Sequence, residues 1–431
     1  MKRITSNNLE KIKVPTISNE WSNKFILNFN SINNYTLDFN PNNVKYDDSP
    51  SRPSQSLVDS EKYCHLIENK NQIDQFKIRD KMFLWNKWSR IVNPYEKISN
   101  FSNVNITISR AFFKIYEIIY YYDIHKMDIK NSLHICEAPG GFISASKHIF
   151  PDLNWNAQTL YDGGGSLKIC WNPPHHTKFC PDEGLDESRW IHNGNGDLYD
   201  INNILELSNK LDNKSDLITA DGGFDVSHDP NNQEQLSLKL IYSQVLTSLH
   251  CQNNGGVFIC KIFDSMTRPT YQILLILNNY YNRVELIKPR TSRYTNSEKY
   301  IVALDFKGIN KDELDKFDKI LSGWNKVYCR DFGIESKNIK FKKLKNYNTF
   351  IAINQAWYIY QAIQHAKTNN KSVSNNLETM QNKRALVFCL AFDLKTDETM
   401  CEHLHLNKMI GKSNIKFLFK CQNCLQLLVK V

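Results

Sequence analysis

The sequence predicts an α/β protein built on a mostly parallel sheet. Two observations predict it. Short buried-strand runs alternate with helical stretches through the middle of the chain, and glycine-rich turns mark the changeovers. NSLHIC (131–136) is the first such strand and runs into EAPGGF (137–142), after which a helix begins. WNAQTL (155–160) reads as a second strand ending in YDGGG. SDLITA (215–220) ends at Asp221 and is followed by a helix through EQLSLKLIYSQVLTSLH (234–250). GGVFICKIF (255–263), RVELIKP (283–289) and EKYIVALDF (298–306) are the remaining strands of this stretch.

The flanks read differently. Residues 1–60 are polar, rich in Asn, Ser and Pro, and predict a loosely structured arm. Residues 61–100 predict a helical extension carrying Trp85 and Trp88 among lysines and arginines. SRAFFKIYEIIYYYDIH (109–125) has apolar residues at helical spacing with Ser109 as its cap, near the start of a central domain over 101–310. Residues 311–431 predict a separate α+β module. Its helix pattern lies at 348–366, and its strand-like runs are ALVFCLAFDL (385–394) and IKFLFK (415–420).

Length and composition bound the function. A chain of 431 residues allows two or three domains, and 41% apolar with 23% charged residues describes a globular protein with a real core. No segment approaches the roughly 20 apolar residues that cross a bilayer, so no membrane is expected. MKRITSNNLEKIKVP starts basic but has no apolar core behind it, so no signal peptide is expected and the setting is intracellular, cytoplasmic or nuclear. Most of the eleven cysteines sit in apolar runs such as LHIC and VFIC, as buried free thiols do in a reducing compartment. A net charge of +9 suits a polyanionic partner, although basic proteins that bind no nucleic acid share it.

In open α/β sheets, ligands bind beyond the carboxyl ends of the strands, and four features sit at such ends. EAPGGF places Gly140 and Gly141 where a tight turn meets a helix N-terminus with unpaired N–H groups. It is neither GxGxxG nor a GK[ST] loop, which disfavours dinucleotide binding and nucleotide hydrolysis. WIHNGNGDLYD (190–200) sets up Asp197 as an acceptor for an exocyclic amine, or is simply a surface turn. TADGGFD (219–225) puts Asp221 at a strand end. Lys261 closes an apolar strand, where a lysine is costly to bury unless paired or used. A structural Asp221–Lys261 salt bridge accounts for the last two equally well.

SRAFFKIYEI, CEAPGGF, GNGDLYD, LITADGGFD, NNQEQ, GGVFICKIF and TNSEKYIVALDFKG, spanning roughly residues 100–308, together resemble the FtsJ-like RNA 2′-O-methyltransferases. The resemblance is to the Adrift-type enzymes specific for the mRNA cap, which have relatives in large DNA viruses. It implies a Rossmann-like fold with a seven-stranded, mostly parallel sheet and an antiparallel last strand. It also implies S-adenosylmethionine as methyl donor and the 5′ end of capped mRNA as substrate. Other capping or transcription machinery is an implied partner, and packaging in the virion follows if the chain is viral.

The family's Lys-Asp-Lys-Glu tetrad falls on Lys114, Asp221, Lys261 and Glu298, and all four are present. A ribose hydroxyl must lose its proton as it attacks a sulfonium methyl. The implied roles are Lys261 as base, Asp221 and Glu298 as its orienting partners, and Lys114 as electrostatic tuner. Desolvation and Lys114 push Lys261 toward neutral, the two carboxylates pull the other way, and it is neutral near pH 7 if the first two win. The donor should lie against Gly140 and Gly141, with Asp197 on the adenine amine, Asp162 beside the ribose, Asp221 nearby and Trp155 either at the border or, at least equally, in the core. Arg110, one turn before Lys114, holds a phosphate or is a surface charge. One departure is His134, which stands where many relatives have an acidic residue.

The catalytic motifs call for no metal. Cys401, His403 or His405, Cys421 and Cys424 form a C-x-H…C-x-x-C pattern that fits tetrahedral zinc or, equally, free cysteines in a small β module. Two other readings stay open: a ribosomal or transfer RNA 2′-O-methyltransferase, and a silent RNA-binding subunit on the same fold.

Overall fold

The computed structural model describes residues 24–27 and 39–394, apart from 79, 102–108, 161–188, 192, 224–225, 227–228 and 335–340. Its strands are β1 (Lys24–Leu27), β2 (Lys45–Asp47), β3 (Asn131–Ile135), β4 (Asn154–Gln158), β5 (Ser215–Ala220), β6 (Gln252–Ile262), β7 (Tyr281–Ile287), β8 (Lys299–Phe306) and β9 (Tyr328–Asp331). The helices before the third strand are α1 (Ser60–Asn71), α2 (Asp74–Ile78), α3 (Met82–Ile91), α4 (Ile98–Phe101) and α5 (Ala111–Tyr121). Within the sheet region lie α6 (Gly141–Ile149), α7 (Ile201–Lys210), α8 (Gln233–Leu236), α9 (Leu238–Cys251) and α10 (Arg268–Tyr280). After it come α11 (Lys311–Ser322), α12 (Phe341–Thr368) and α13 (Lys371–Ala391).

Seven strands make the main sheet in the order β1-β7-β8-β6-β5-β3-β4, and β2 pairs with β9 in a small second sheet. β4, β3, β5 and β6 run parallel, whereas β8 opposes both β6 and β7. This is the mixed, mostly parallel Rossmann-like sheet that the sequence implied. Registers align the strand ends: Ile135 pairs with Gln158 and with Ala220, and Ala220 pairs with Cys260. Cys136, Asp221 and Lys261 therefore emerge along one edge. Because β8 is antiparallel and Lys299 pairs with Ile262, Glu298 starts at that same edge.

The polar arm contributes more than its composition suggests. β1 completes the sheet by pairing antiparallel with β7, and Phe39, Leu57 and Val58 are buried. Strands of three or four residues offer too few positions to display a period-2 pattern. ALVFCLAFDL is a correction: residues up to Ala391 continue α13, and Ala385, Leu386, Phe388 and Cys389 bury one helical stripe. A short apolar run carries no period that separates a strand from a buried helix. IKFLFK and the option Cys401, His403, His405, Cys421 and Cys424 lie outside the described residues.

Two apolar layers cover the sheet, one around α9 and α10 and the other around α5 and α6. A third cluster joins α1 and α3 to α12, centred on fully buried Trp88, whose ring stacks on His365 at 5.2 Å. Cys251, Cys260 and Cys329 are buried free thiols. Among the described residues no helix is long and apolar enough to cross a membrane.

His134 is a core residue. Its Nδ1 lies 2.7 Å from Thr219 Oγ1 and its Nε2 3.0 Å from Ser132 Oγ, and burial pulls its pKa down to about 3. The unfolded chain binds this proton near pH 6.5 and the fold does not, so stability is full above pH 6.5 and declines as pH falls toward 3. The expected slope is about 1.4 kcal/mol per pH unit. In urea titrations at pH 7 and pH 5.5, His134→Gln should lose less stability on acidification than the wild type. Equal losses would show that His134 is not the group responsible.

Candidate active site

The four charged residues singled out in the sequence meet at the aligned strand ends. Lys114 Nζ lies 2.8 Å from Glu298 Oε1 and donates to Oε2 at 2.9 Å. Lys261 Nζ lies 2.9 Å from Asp221 Oδ1 and donates to the Asp221 carbonyl at 2.6 Å. All four side chains are largely buried, and each pair stands within the field of the other. Burial alone would raise the Glu298 pKa, but Lys114 and Lys261 outweigh it and hold the carboxyl down to about 2.

The charge state of Lys261, which the sequence left to the balance between burial with Lys114 and the two carboxylates, falls on the charged side. Burial lowers its pKa, yet Asp221, Glu298 and Glu137 outweigh burial and hold the ammonium above its usual range. The site on its own keeps Lys261 charged, and a neutral amine has to be produced by whatever binds beside it.

Local structure explains the convergence. The turn after β3 needs glycine twice. Gly140 has φ of +103°, and a Cβ on Gly141 would stand 2.5 Å from Ser109 Oγ and 2.9 Å from Ala111 Cβ. That close approach seats the start of α5 on the turn and delivers Lys114 one helical turn later. On α5, buried Glu117 accepts from the Arg290 and Thr291 amides at 2.9 and 3.1 Å, which ties the helix to the loop that carries Glu298. Within that loop Lys288, whose pKa burial lowers to about 7, donates to the Glu298 carbonyl at 2.7 Å and the Asn296 carbonyl at 2.9 Å. Arg293 and Arg110 both clasp Glu96.

Arg110 also donates to the carbonyls of Glu96 and Thr291 at 2.8 and 3.0 Å, so its guanidinium is engaged in bracing this loop. Glu117, Lys288 and Glu96 were missed by the sequence reading. For Glu117 the available signal was an acid inside an otherwise apolar helix face. Phe263 was missed as well. A Cβ on Gly223 would stand 3.2 Å from Lys261 Nζ and 3.7 Å from Phe263 Cζ, so the half-buried ring flanks the amine at the mouth of the site.

On the other side of Asp221, the loop 193–200 is pinned over β3 and β4, with Gln158 Nε2 donating to the Gly196 carbonyl at 2.6 Å. This brings Asp197 within the electrostatic reach of Cys136, while its Oδ1 accepts from the Tyr199 amide at 2.9 Å. Asp162 lies outside the described residues. Trp155 is a correction: it is the second residue of β4, paired with Ser132, and is buried in the apolar layer at the far end of the strand from the site. The strand reading did not distinguish its entry from its exit.

Among curated proteins, the chain is 33% identical over 213 residues to a probable methyltransferase of African swine fever virus, covering 45% of this chain and 48% of that protein. It is 29% identical over 225 residues to a cap-specific mRNA (nucleoside-2′-O-)-methyltransferase 2 of Drosophila melanogaster, covering 48% of this chain and 31% of that protein. The chain therefore spans about half or less of the length of these relatives. A solved structure of a putative ribosomal RNA methyltransferase from Plasmodium falciparum is 19% identical with a TM-score of 0.33, covering 47% of this chain and 100% of that one. The family model for FtsJ-like methyltransferases matches residues 107–306, which run from just before α5 to the end of β8 and contain every residue of the tetrad. Residues 107–306 of this chain form an FtsJ-like methyltransferase domain.

Proposed function

We propose that the chain is an S-adenosylmethionine-dependent RNA ribose 2′-O-methyltransferase acting on the first or second transcribed nucleotide of capped mRNA. The observation that carries this reading is the meeting of two lysine–carboxylate pairs, Lys114–Glu298 and Lys261–Asp221, on one sheet edge. A hydroxyl that must be deprotonated needs an amine held in place by acids, and this arrangement supplies it. The names of the cap-specific relatives support the choice of RNA.

S-Adenosylmethionine supplies an electrophilic methyl group on a positively charged sulfur. The donor set suits it. At the end of β3, Glu137 Oε2 is a buried carboxylate oxygen without a hydrogen-bond partner, its pKa raised by burial and by neighbouring Asp221, and a cationic guest beside it would favour its charged form. Gly140 and Gly141 would let the guest approach the backbone, Asp197 would receive its adenine amine, and Asp221 would face it while holding Lys261. A cation bound there also pushes the Lys261 ammonium toward its neutral form. Lys261 then takes the proton of the ribose 2′-hydroxyl, Asp221 and Glu298 orient it, and Lys114 holds the hydroxyl oxygen. Substrate of this kind places the protein with the capping or transcription machinery.

The test offers labelled methyl donor with capped RNA, uncapped RNA and ribosomal RNA. Label should enter capped RNA and survive nuclease digestion in a 2′-O-methylated dinucleotide. Equal labelling of uncapped RNA would remove the cap from the reading, and no labelling of any RNA would leave a silent binding subunit.

A further inference from the structure

The helices outside the methyltransferase domain carry a surface that the proposed reaction does not use. On α3, Trp88, Ser89 and Ile91 are buried, while Phe83, Asn86, Lys87 and Arg90 are exposed. Their spacing of i, i+3, i+4 and i+7 puts all four on one face. Phe83 is 64% exposed, a large aromatic ring standing in solvent. Exposed Lys81 precedes the helix, and α3 itself contains no acidic residue. Exposed Asp80 stands ahead of Lys81, and Glu378, which responds to Lys87, is itself bound by Lys97 and Ser374.

This face is fixed and continuous with the active site. Trp88 Nε1 and Lys87 Nζ both donate to Asn369 Oδ1, at 3.2 and 3.1 Å. Gln381 on α13 donates to the carbonyls of Arg90, Ile91 and Asn93 at 2.8, 2.8 and 2.7 Å, closing the helix end. Just past that end, Asn93 Nδ2 donates to Glu96 Oε2 at 2.8 Å, and the same oxygen is held at 3.0 Å by Arg110, one turn before Lys114. The end of α3 is thus tied through Glu96 and Arg110 to the helix and loop that carry Lys114 and Glu298, and Phe83 lies about 10 Å from Arg90 along the helix.

Resting on the methyltransferase reading, we propose that this face of α3 is the path along which the single-stranded RNA downstream of the methylated nucleotide leaves the site. Lys87 and Arg90 meet phosphates, and Phe83 stacks on a base. Cations interleaved with an exposed ring are the chemistry that holds single strands without reading their sequence. The role assigned to α12 and α13 is to hold this platform rigid.

The full chain is tested as wild type, Phe83→Ala and the double variant Lys87→Glu/Arg90→Glu. Each is assayed on a capped tetranucleotide and a capped 25-mer, with anisotropy of the labelled 25-mer across a salt series and calorimetry of S-adenosylmethionine as a check on folding. The wild type should show a KM about tenfold lower for the long RNA. The double variant should erase that advantage and flatten the salt slope by one to two. Phe83→Ala should weaken the 25-mer several-fold with the slope unchanged. Tetranucleotide kinetics and cofactor affinity should hold in both. If both RNAs are methylated and the variants leave KM, affinity and salt slope for the 25-mer unmoved, the proposal is overturned and the face awaits a protein partner instead. If the wild type methylates neither RNA, the functional reading falls, while the anisotropy arm still decides the α3 path.

Discussion

Lys261→Met removes the proposed base and should lower kcat by at least about a thousand-fold, within the range that general-base catalysis contributes. The substitution keeps the length and apolar stem of a side chain that closes the buried strand β6, so the fold and the affinity for S-adenosylmethionine should stay within a few-fold of wild type. Lys261→Arg should be as inactive, since a guanidinium keeps its proton. Single-turnover methylation, paired with calorimetry of the donor, separates the two quantities. A Lys261→Arg enzyme near wild-type rate would leave Lys261 as a fixed positive charge rather than a base. The charge state adds a further expectation. Asp221, Glu298 and Glu137 hold the ammonium up against burial, so the rate should climb with pH through the neutral range. Asp221→Asn removes the largest of these influences and should move that rise to lower pH.

Glu298→Gln is the second large effect, and it touches stability as well as rate. Glu298 faces both lysines from a largely buried position, and its carboxyl is held down to about 2. A folded pKa below the unfolded one contributes stability above pH 4.5, and that stability is lost as pH falls from 4.5 through 2. From 4.5 to 2 the shift corresponds to about 3 kcal/mol. The glutamine variant should be weaker than wild type by about that amount at pH 7 and nearly equal to it at pH 2. Urea midpoints at the two pH values check the sign. Its kcat should fall about a hundred-fold, because Lys114 loses its anchor and Lys261 loses one of its two closest acids. A variant as stable as wild type at pH 7 would contradict the buried network.

How much of this was readable beforehand divides along physical lines. The central strands were plain because each is an apolar run closed by a glycine or acidic turn, and register then carries Asp221 and Lys261 to one edge. The tetrad was reachable only through the order of motifs, since Lys114 and Glu298 lie 184 positions apart and nothing local pairs them. The braces were hidden for the same reason: Glu117 finds its loop 173 positions downstream, and Arg293 reaches back 197 to Glu96. Periodicity failed where elements were short or uniformly apolar, as in β1 and the end of α13. Trp155 stayed open between site border and core because an aromatic near a strand does not say which end it occupies. The charge on Lys261 turned on a balance of burial against three carboxylates, which only coordinates can weigh.

In the proposed reaction the ribose 2′-oxygen takes the methyl group, with Lys261 as its base. Capped RNAs carrying 2′-deoxyribose at the first nucleotide, the second, or both test that most directly, with methyl incorporation as the readout. Label should disappear when the acceptor sugar lacks its 2′-oxygen and persist when only the other position is changed. Undiminished labelling of the doubly deoxy RNA would contradict it.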